Sequence, residues 1–312
     1  MPNHCLPPLS RRAAVTALCA FVLALEGARA QVPPPRATIL TMGFYLPVLR
    51  DVPRGDVEVS LRFWLEELGR SVNLNLAPVQ FFDDFERMKR AADAGQVNFI
   101  VGSAVGFVQQ FADHELVDGL TGYKAVHEDL LLVARRDADI RTIADLVGKR
   151  LALLEGDELT DIHLETLLMK TWGVLDWGRV GPISRETRSG KLVNRLFFNT
   201  VDAAFIYRSG YETAAALNPQ IGKRLVVLDA FTFKTRSPFM GLFTARTALA
   251  DREGFIQGGL KVIDTARGRQ VLQIYQADRM GRSTVADLQP YRELVAVHRA
   301  LKAASLKKKA KP

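Results

Sequence analysis

Past its first thirty residues the chain alternates between short apolar runs and stretches whose apolar positions recur every three or four residues. The run ATILTMGFYLP (37–47) is dense enough for a strand ending at Gly43, with a loop over 44–54 to follow. Val57, Leu61, Trp64, Leu65 and Leu68 then share one face of a helix, with Gly69 as its expected stop. NLNLAPVQFF (73–82) alternates and reads as a strand. Asp83 and Asp84 offer an N-cap for a helix over 84–96, which Gly95 should close. VNFIVGSA (97–104) reads as a buried strand leading into a short helix at 105–112.

The same rhythm continues. Strands are expected at 128–136, 151–156, 180–184, 201–208 and 223–231. Helical segments are expected at 142–150 (short), 159–173, 191–198 and 209–219, and the remainder to about 301 should be mostly helical. Each crossover is long enough to join parallel strands. The fold class expected is therefore α/β, with mostly parallel sheets flanked by helices. No internal repeat or long polar linker breaks the pattern, so any division into domains must pass through strands.

The opening segment belongs to a different class. Arg11 and Arg12 precede the apolar stretch AAVTALCAFVLAL, and Ala-Arg-Ala precedes Gln31. That order is a secretory signal peptide over 1–30, which implies a periplasmic protein, with Sec and twin-arginine export both open. A lipoprotein reading through Cys19 fails, because Leu18 stands where a small residue is needed. Both cysteines, Cys5 and Cys19, fall inside the signal, so the exported chain has no thiol for a disulfide or a thiolate metal site.

Charge changes the picture little. The formal net charge is +8; the signal (Arg11, Arg12, Arg29 against Glu26) carries +2 and the end (Lys302, Lys307, Lys308, Lys309, Lys311) carries +5, which leaves +1 on the body. No basic face for nucleic acid is expected there, and 302–312 reads as a disordered basic tail. The histidines show no ligand spacing, and no cofactor or metal is expected. There is no nucleophile elbow and no phosphate-cradling glycine loop.

The stretch LLEGDELTDIH (153–163) combines a strand, a turn and a helix start, where free backbone N–H groups favour anions. Yet it carries Glu155, Asp157, Glu158 and Asp161. Acids there either cap the helix or line a site that has lost its anion; the sequence leaves both open.

Several phrases taken in order resemble one family: LTMGFYLP, LRFWLEELGRSVNL, DDFERMKRAADAGQVNFIVGSAVGF, EDLLLVARRDADIRTIADLVGKRLAL and VDAAFIYRSGYE. Over roughly 36–282 the chain resembles the periplasmic solute-binding proteins of phosphonate and phosphite ABC transporters, which have the type II periplasmic-binding-protein fold. The resemblance implies two lobes, 36–125 plus 235–301 and 126–234, joined by crossing segments near 123–129 and 233–238. It implies a small-molecule ligand between the lobes, a membrane ABC permease as partner and a monomer. It also implies cleft positions for Phe44, Tyr45, Ser103, Tyr123, His127, Asp157, Glu158, Thr160, Asp202 and Tyr207. Lys234 and Arg236 stand beside the second crossing. Relatives that hold phosphonates carry a hydroxyl-rich run where this chain has Glu158, Leu159 and Thr160, so the solute need not be a phosphonate. Two alternatives stay open: a receptor that feeds a membrane sensor kinase, and an enzyme on the same fold.

The exported protein is expected to begin at Gln31. N-terminal sequencing of secreted material checks this, and a chain that still begins at Met1 overturns it.

Overall fold

In the computed structural model, which describes residues 39–49, 52–72, 74–125, 128–232, 239–274 and 277–310, the apolar runs form two five-stranded sheets and a two-stranded ribbon. The expected leader over 1–30, and His127, Lys234 and Arg236, lie outside those residues. In sheet one, β1 (Met42–Tyr45) runs parallel to β2 (Gln80–Phe82) on one side and β3 (Phe99–Ser103) on the other. β11 (Phe239–Thr244) pairs antiparallel with β3 and with the short β4 (Leu116–Val117). Sheet two repeats the plan. β7 (Leu151–Leu154) is parallel to β8 (Ile183–Glu186) and β9 (Ala203–Tyr207), while β6 (Asp129–Arg135) is antiparallel to β9 and to β10 (Leu225–Thr232). β5 (Gly119–Tyr123) and β12 (Arg279–Ser283) form the ribbon.

The sheets are therefore mixed rather than mostly parallel. Strands joined by a helical crossover are parallel, as expected. β6 and β11 each enter a new sheet from the other one, and both run against their neighbours. The expectation of a mostly helical remainder missed β11 and β12, whose glycine-interrupted sequences (FMGLFT, RMGRS) carry little strand signal.

Ten helices are described. α1 (Arg54–Val72) buries Val57, Leu61, Trp64, Leu65 and Leu68 against Met42, Phe44, Phe99 and Phe255. It runs past Gly69, the expected stop. α2 (Phe85–Asp93) begins as read, with the Asp84 carboxylate accepting from Arg87 N at 2.6 Å, and is followed by Gly95 at φ +72°. α3 (Ala104–Gln110) follows β3 directly. α4 (Glu158–Trp172) ends on Gly173 at φ +73°, whose N–H donates to Met169 O. α5 (Ser189–Phe197), α6 (Arg208–Leu217) and α7 (Gln220–Arg224) belong to the stretch around sheet two, and α8 (Leu249–Val262) and α9 (Ala266–Ile274) pack with α1. Among the described residues no helix is long and apolar enough to cross a membrane.

α10 (Gln289–Lys309) corrects a second expectation, because residues 302–309 continue this helix and are not a disordered tail. Side chains along the helix anchor it. Arg292 pairs with Asp113 at 2.5 Å, and His298 Nε2 and Lys302 Nζ both reach Glu165 of α4, at 2.6 and 3.0 Å. Ser305, only 2 % exposed, accepts from Leu175 N at 2.8 Å. Tyr291 and Val295 join one apolar cluster that includes Ile100 and Leu242 of sheet one, Leu132, Leu153 and Phe205 of sheet two, and Leu164 and Leu168 of α4. Burying each such side chain stabilises by about 1.5–3 kcal/mol, so the packing that holds the two sheets together is shared.

His163 of α4 is buried beside Phe231, 4.3 Å between ring centroids, and Phe205. Burial holds its pKa down at about 4, against 6.5 when free. The unfolded chain therefore takes up this proton first as pH falls. Stability should be unaffected above pH 6.5 and should decline between 6.5 and 4, by about 2–3 kcal/mol at pH 4.5. Urea midpoints at pH 7 and 4.5 check this, and His163→Phe should flatten the difference.

Candidate functional site

The strand ends of the two sheets meet at one contact. β3 ends at Ser103, whose Oγ accepts from Gly106 N at 3.0 Å and so caps α3. The turn is tight because Phe85 lies against it: a Cβ on Gly106 would come within 2.3 Å of that ring. In sheet two, β7 ends at Leu154, Gly156 turns the chain at φ +64°, and Asp157 precedes α4. Glu158, the first residue of α4, accepts a hydrogen bond from Ser103 Oγ at 2.9 Å.

The four acids of this stretch have different fates. Glu155 is exposed. Asp157, buried, accepts from Thr160 Oγ1 at 2.5 Å, and Thr160 is wholly buried. Asp161 pairs with Arg185 at 2.8 Å; burial raises its pKa and the guanidinium opposes that. Glu158 reaches sheet one through the bond from Ser103.

A second cluster was missed by the sequence reading. Antiparallel pairing sets Leu130 of β6 opposite Tyr207, the last residue of β9. That brings Glu128 and Asp129 to the start of α6. Glu128, 8 % exposed, accepts from Ser209 N and Ser209 Oγ, each at 2.9 Å, and from Lys124 Nζ. Asp129 accepts from Arg208 Nε at 2.6 Å. Ser209 N is one of the orphan donors of a helix start, and a carboxylate satisfies it in both hydrogen bonding and dipole. The signal was the Glu-Asp pair opening one strand and the Arg-Ser pair closing another. Finding it required the antiparallel register.

The other expected positions divide. Tyr45 is buried, packs edge-on against Phe85 at 5.2 Å and joins the cluster common to both sheets, against which Tyr207 also packs. Phe44 points to the opposite face of β1 and is fully buried at 0 % exposure under α1, near Phe81, so it is a core residue and does not line a cleft. Tyr123 donates its hydroxyl to Arg282 O at 2.8 Å within the ribbon and lies under the Arg279 guanidinium. Its pKa is pushed up to about 12, first by burial and then by the charge of Asp287. Asp202 is the clearest correction. It precedes β9 and so lies at the opposite end of that strand from Tyr207, about 16 Å away at 3.3 Å per residue. Arg150 binds it through Nη2 at 2.8 Å and through its backbone N, and Arg135 Nη1 reaches it at 2.9 Å. Among the described residues no group of three His, Cys, Asp or Glu side chains is placed to hold a metal ion.

No protein family matches the sequence, and neither does any curated protein. Solved structures do match. XAC2383 from Xanthomonas citri, bound to ATP, is 12 % identical with a TM-score of 0.64, over 85 % of this chain and 98 % of that one. PhnD1 from Prochlorococcus marinus, in complex with methylphosphonate, is 10 % identical with a TM-score of 0.62, over 85 % and 98 %. A binding protein component of an ABC phosphonate transporter from Pseudomonas aeruginosa is 13 % identical with a TM-score of 0.60, over 86 % and 89 %. The fold is that of the type II periplasmic binding proteins. In such a fold the contact of Ser103 with Glu158 ties the strand-end edge of one sheet to that of the other.

Asp202 should behave as a structural group. The Arg150 hydrogen bonds hold its pKa at about 2, against 3.8 when free. Its contribution is complete above pH 3.8 and is lost as pH falls through 2. Asp202→Asn should therefore lower stability at pH 7 by about 2 kcal/mol, read as a shift in the denaturant midpoint.

Proposed function

We propose that the chain is an exported receptor that captures a small polar solute between two lobes and delivers it to a membrane ABC permease. The lobes would comprise 36–125 with 235–301, and 126–234. The observation that carries the reading is the bond from Ser103 Oγ to Glu158, because it brings a helix start of one sheet against a helix start of the other. Ligands of open α/β sheets sit at such strand ends. The similarity to solved binding proteins supports the class, and the ligands of two similar structures, methylphosphonate and ATP, are small and polar.

Ser103, Glu158, Tyr45 and Tyr207 are the groups assigned here to the cleft. Ser103 would act through its hydroxyl, already oriented by its bond with Gly106 N. The tyrosines would supply an apolar wall at the inner edge of the shared cluster. Closure would be a rotation of the two lobes about the expected crossings at 123–129 and 233–238. The permease can distinguish loaded from empty receptor only if ligand prefers one arrangement.

The test uses the mature chain. Native mass spectrometry of the protein purified from its export compartment should reveal a bound small solute. Adding that solute back should raise the melting temperature and shrink the radius of gyration in small-angle scattering, and Ser103→Ala should weaken its binding by roughly tenfold, the value of one hydrogen bond to a polar ligand. A chain that carries no solute and keeps one scattering profile across a broad solute panel overturns the reading.

A further inference from the structure

We infer that a cavity beneath α1 is a second binding site, which takes a small neutral molecule with an apolar body and one hydrogen-bond acceptor, of the size and kind of a short ketone. None of the groups assigned to the cleft (Ser103, Glu158, Tyr45 and Tyr207) lines this cavity, so the inference does not depend on the receptor reading above.

The cavity has a volume of about 40 Å³ and lies between α1, strands β1 and β3 of sheet one, and the ribbon of β5 and β12. One water needs about 10–15 Å³, so the space suits a molecule of roughly three to five heavy atoms. Its wall is apolar or glycine except for Trp64 and Thr121, and among the described residues no charged side chain lines it. An ion would leave its hydration shell there without a counter-charge, which restricts the occupant to neutral molecules.

Room alone would not point to a ligand; the indole of Trp64 does. Trp64 is 3 % exposed, and its Nε1 has no hydrogen-bond partner among the described residues, a state it shares there only with Arg252 Nε. Buried polar groups nearly always have a partner. The Phe255 ring stands perpendicular to the indole with centroids 5.7 Å apart, where an N–H···π contact would replace only part of a hydrogen bond. The indole is also turned the right way. A Cβ on Gly259 of α8 would lie 3.5 Å from Trp64 Cζ2 and 2.3 Å from Leu120 Cδ2. Cζ2 and Nε1 are both bonded to Cε2, so the N–H edge lies beside Leu120, itself part of the wall. An indole N–H donates and never accepts, so the occupant must present an acceptor. Water would want two to four polar partners, and this wall offers few; a carbonyl on an apolar body matches it better.

The experiment titrates acetone, and acetate as a charged molecule of the same shape, into the mature chain while indole N–H signals are followed by NMR. The chain has three tryptophans, and Trp172 and Trp177, half-buried and outside the cavity, serve as internal controls. Acetone should move the Trp64 proton downfield and saturate in the millimolar range, as expected of so small a ligand, while the control signals stay in place. Acetate should move none of the three. Trp64→Phe should bind acetone roughly tenfold more weakly, the value of one hydrogen bond, read from the melting temperature at rising acetone. Val271→Ile, which adds a methyl group to the wall, should weaken binding severalfold. If Trp64→Phe fails to fold, Trp172→Phe and Trp177→Phe assign the signals by elimination and Val271→Ile supplies the comparison. A Trp64 signal that moves only together with the other two overturns the inference, and so does an equal response to acetate or a response that Val271→Ile leaves unchanged. A Trp64 proton that already lies downfield, cross-relaxes with water and ignores acetone also overturns it, because water is then the occupant. Ser103→Ala should bind acetone as wild type does, so failure of this site and failure of the receptor reading are told apart.

Discussion

Parallel pairing of β1 with β3, and of β7 with β9, dictates most of what the site contains. Parallel neighbours cannot be joined by a tight turn, so each connection crosses over through a helix. Every such helix begins just beyond the end of a strand, with N–H groups that have no partner of their own. Once two sheets of this kind turn those edges toward each other, several electropositive helix starts crowd into one small space. The chain answers with its own oxygens: Ser103 for α3 and Glu128 for α6. The polarity of the junction is thus a product of topology, and the residues present determine only how it is satisfied.

The same constraint explains why buried charge is tolerable here. Glu128 and Asp202 each sit between donors supplied by different segments, and Glu165 between two donors of α10. An unpaired carboxylate at such depth would be expensive, and breaking a partially buried pair leaves the survivor without compensation. These groups therefore act as position markers, because each is satisfied in only one arrangement of its neighbours. His163 follows the other strategy: it is packed between aromatic rings as a neutral side chain.

Much of this was legible in the sequence where local chemistry decides. The apolar face of α1 and the caps Asp84 and Gly95 are near-neighbour effects, and they lie where the pattern puts them. Ser103 and Glu158 were named by the family resemblance, and each stands at a helix start that follows an apolar strand. What escaped depends on pairing between distant segments. The register of β6 against β9 hides Glu128, and the pairing of Asp202 with Arg150 and Arg135 joins segments far apart in the chain. Phe44 and Tyr45 are adjacent, yet strand pleating turns one into the core and leaves the other at the shared cluster. The order of residues 302–309 rests on Lys302 meeting Glu165 and Ser305 meeting Leu175, each across more than a hundred positions, which no local run of lysines announces.

Those distant closures have a kinetic side. β5 waits for β12, with Tyr123 bonding Arg282 across 159 positions, and α4 waits for α10, with Leu175 bonding Ser305 across 130. Loops of that length must close before either contact can contribute, which places this chain among slow folders. Until residues beyond 279 are in place, β5 has an unpaired edge where β12 will lie, and unpaired strand edges invite pairing with other chains. The apolar places that Tyr291 and Val295 will fill stay open over the same interval. A partly made chain is therefore loosely packed and sticky, the form in which folding helpers and export machinery engage their clients most readily.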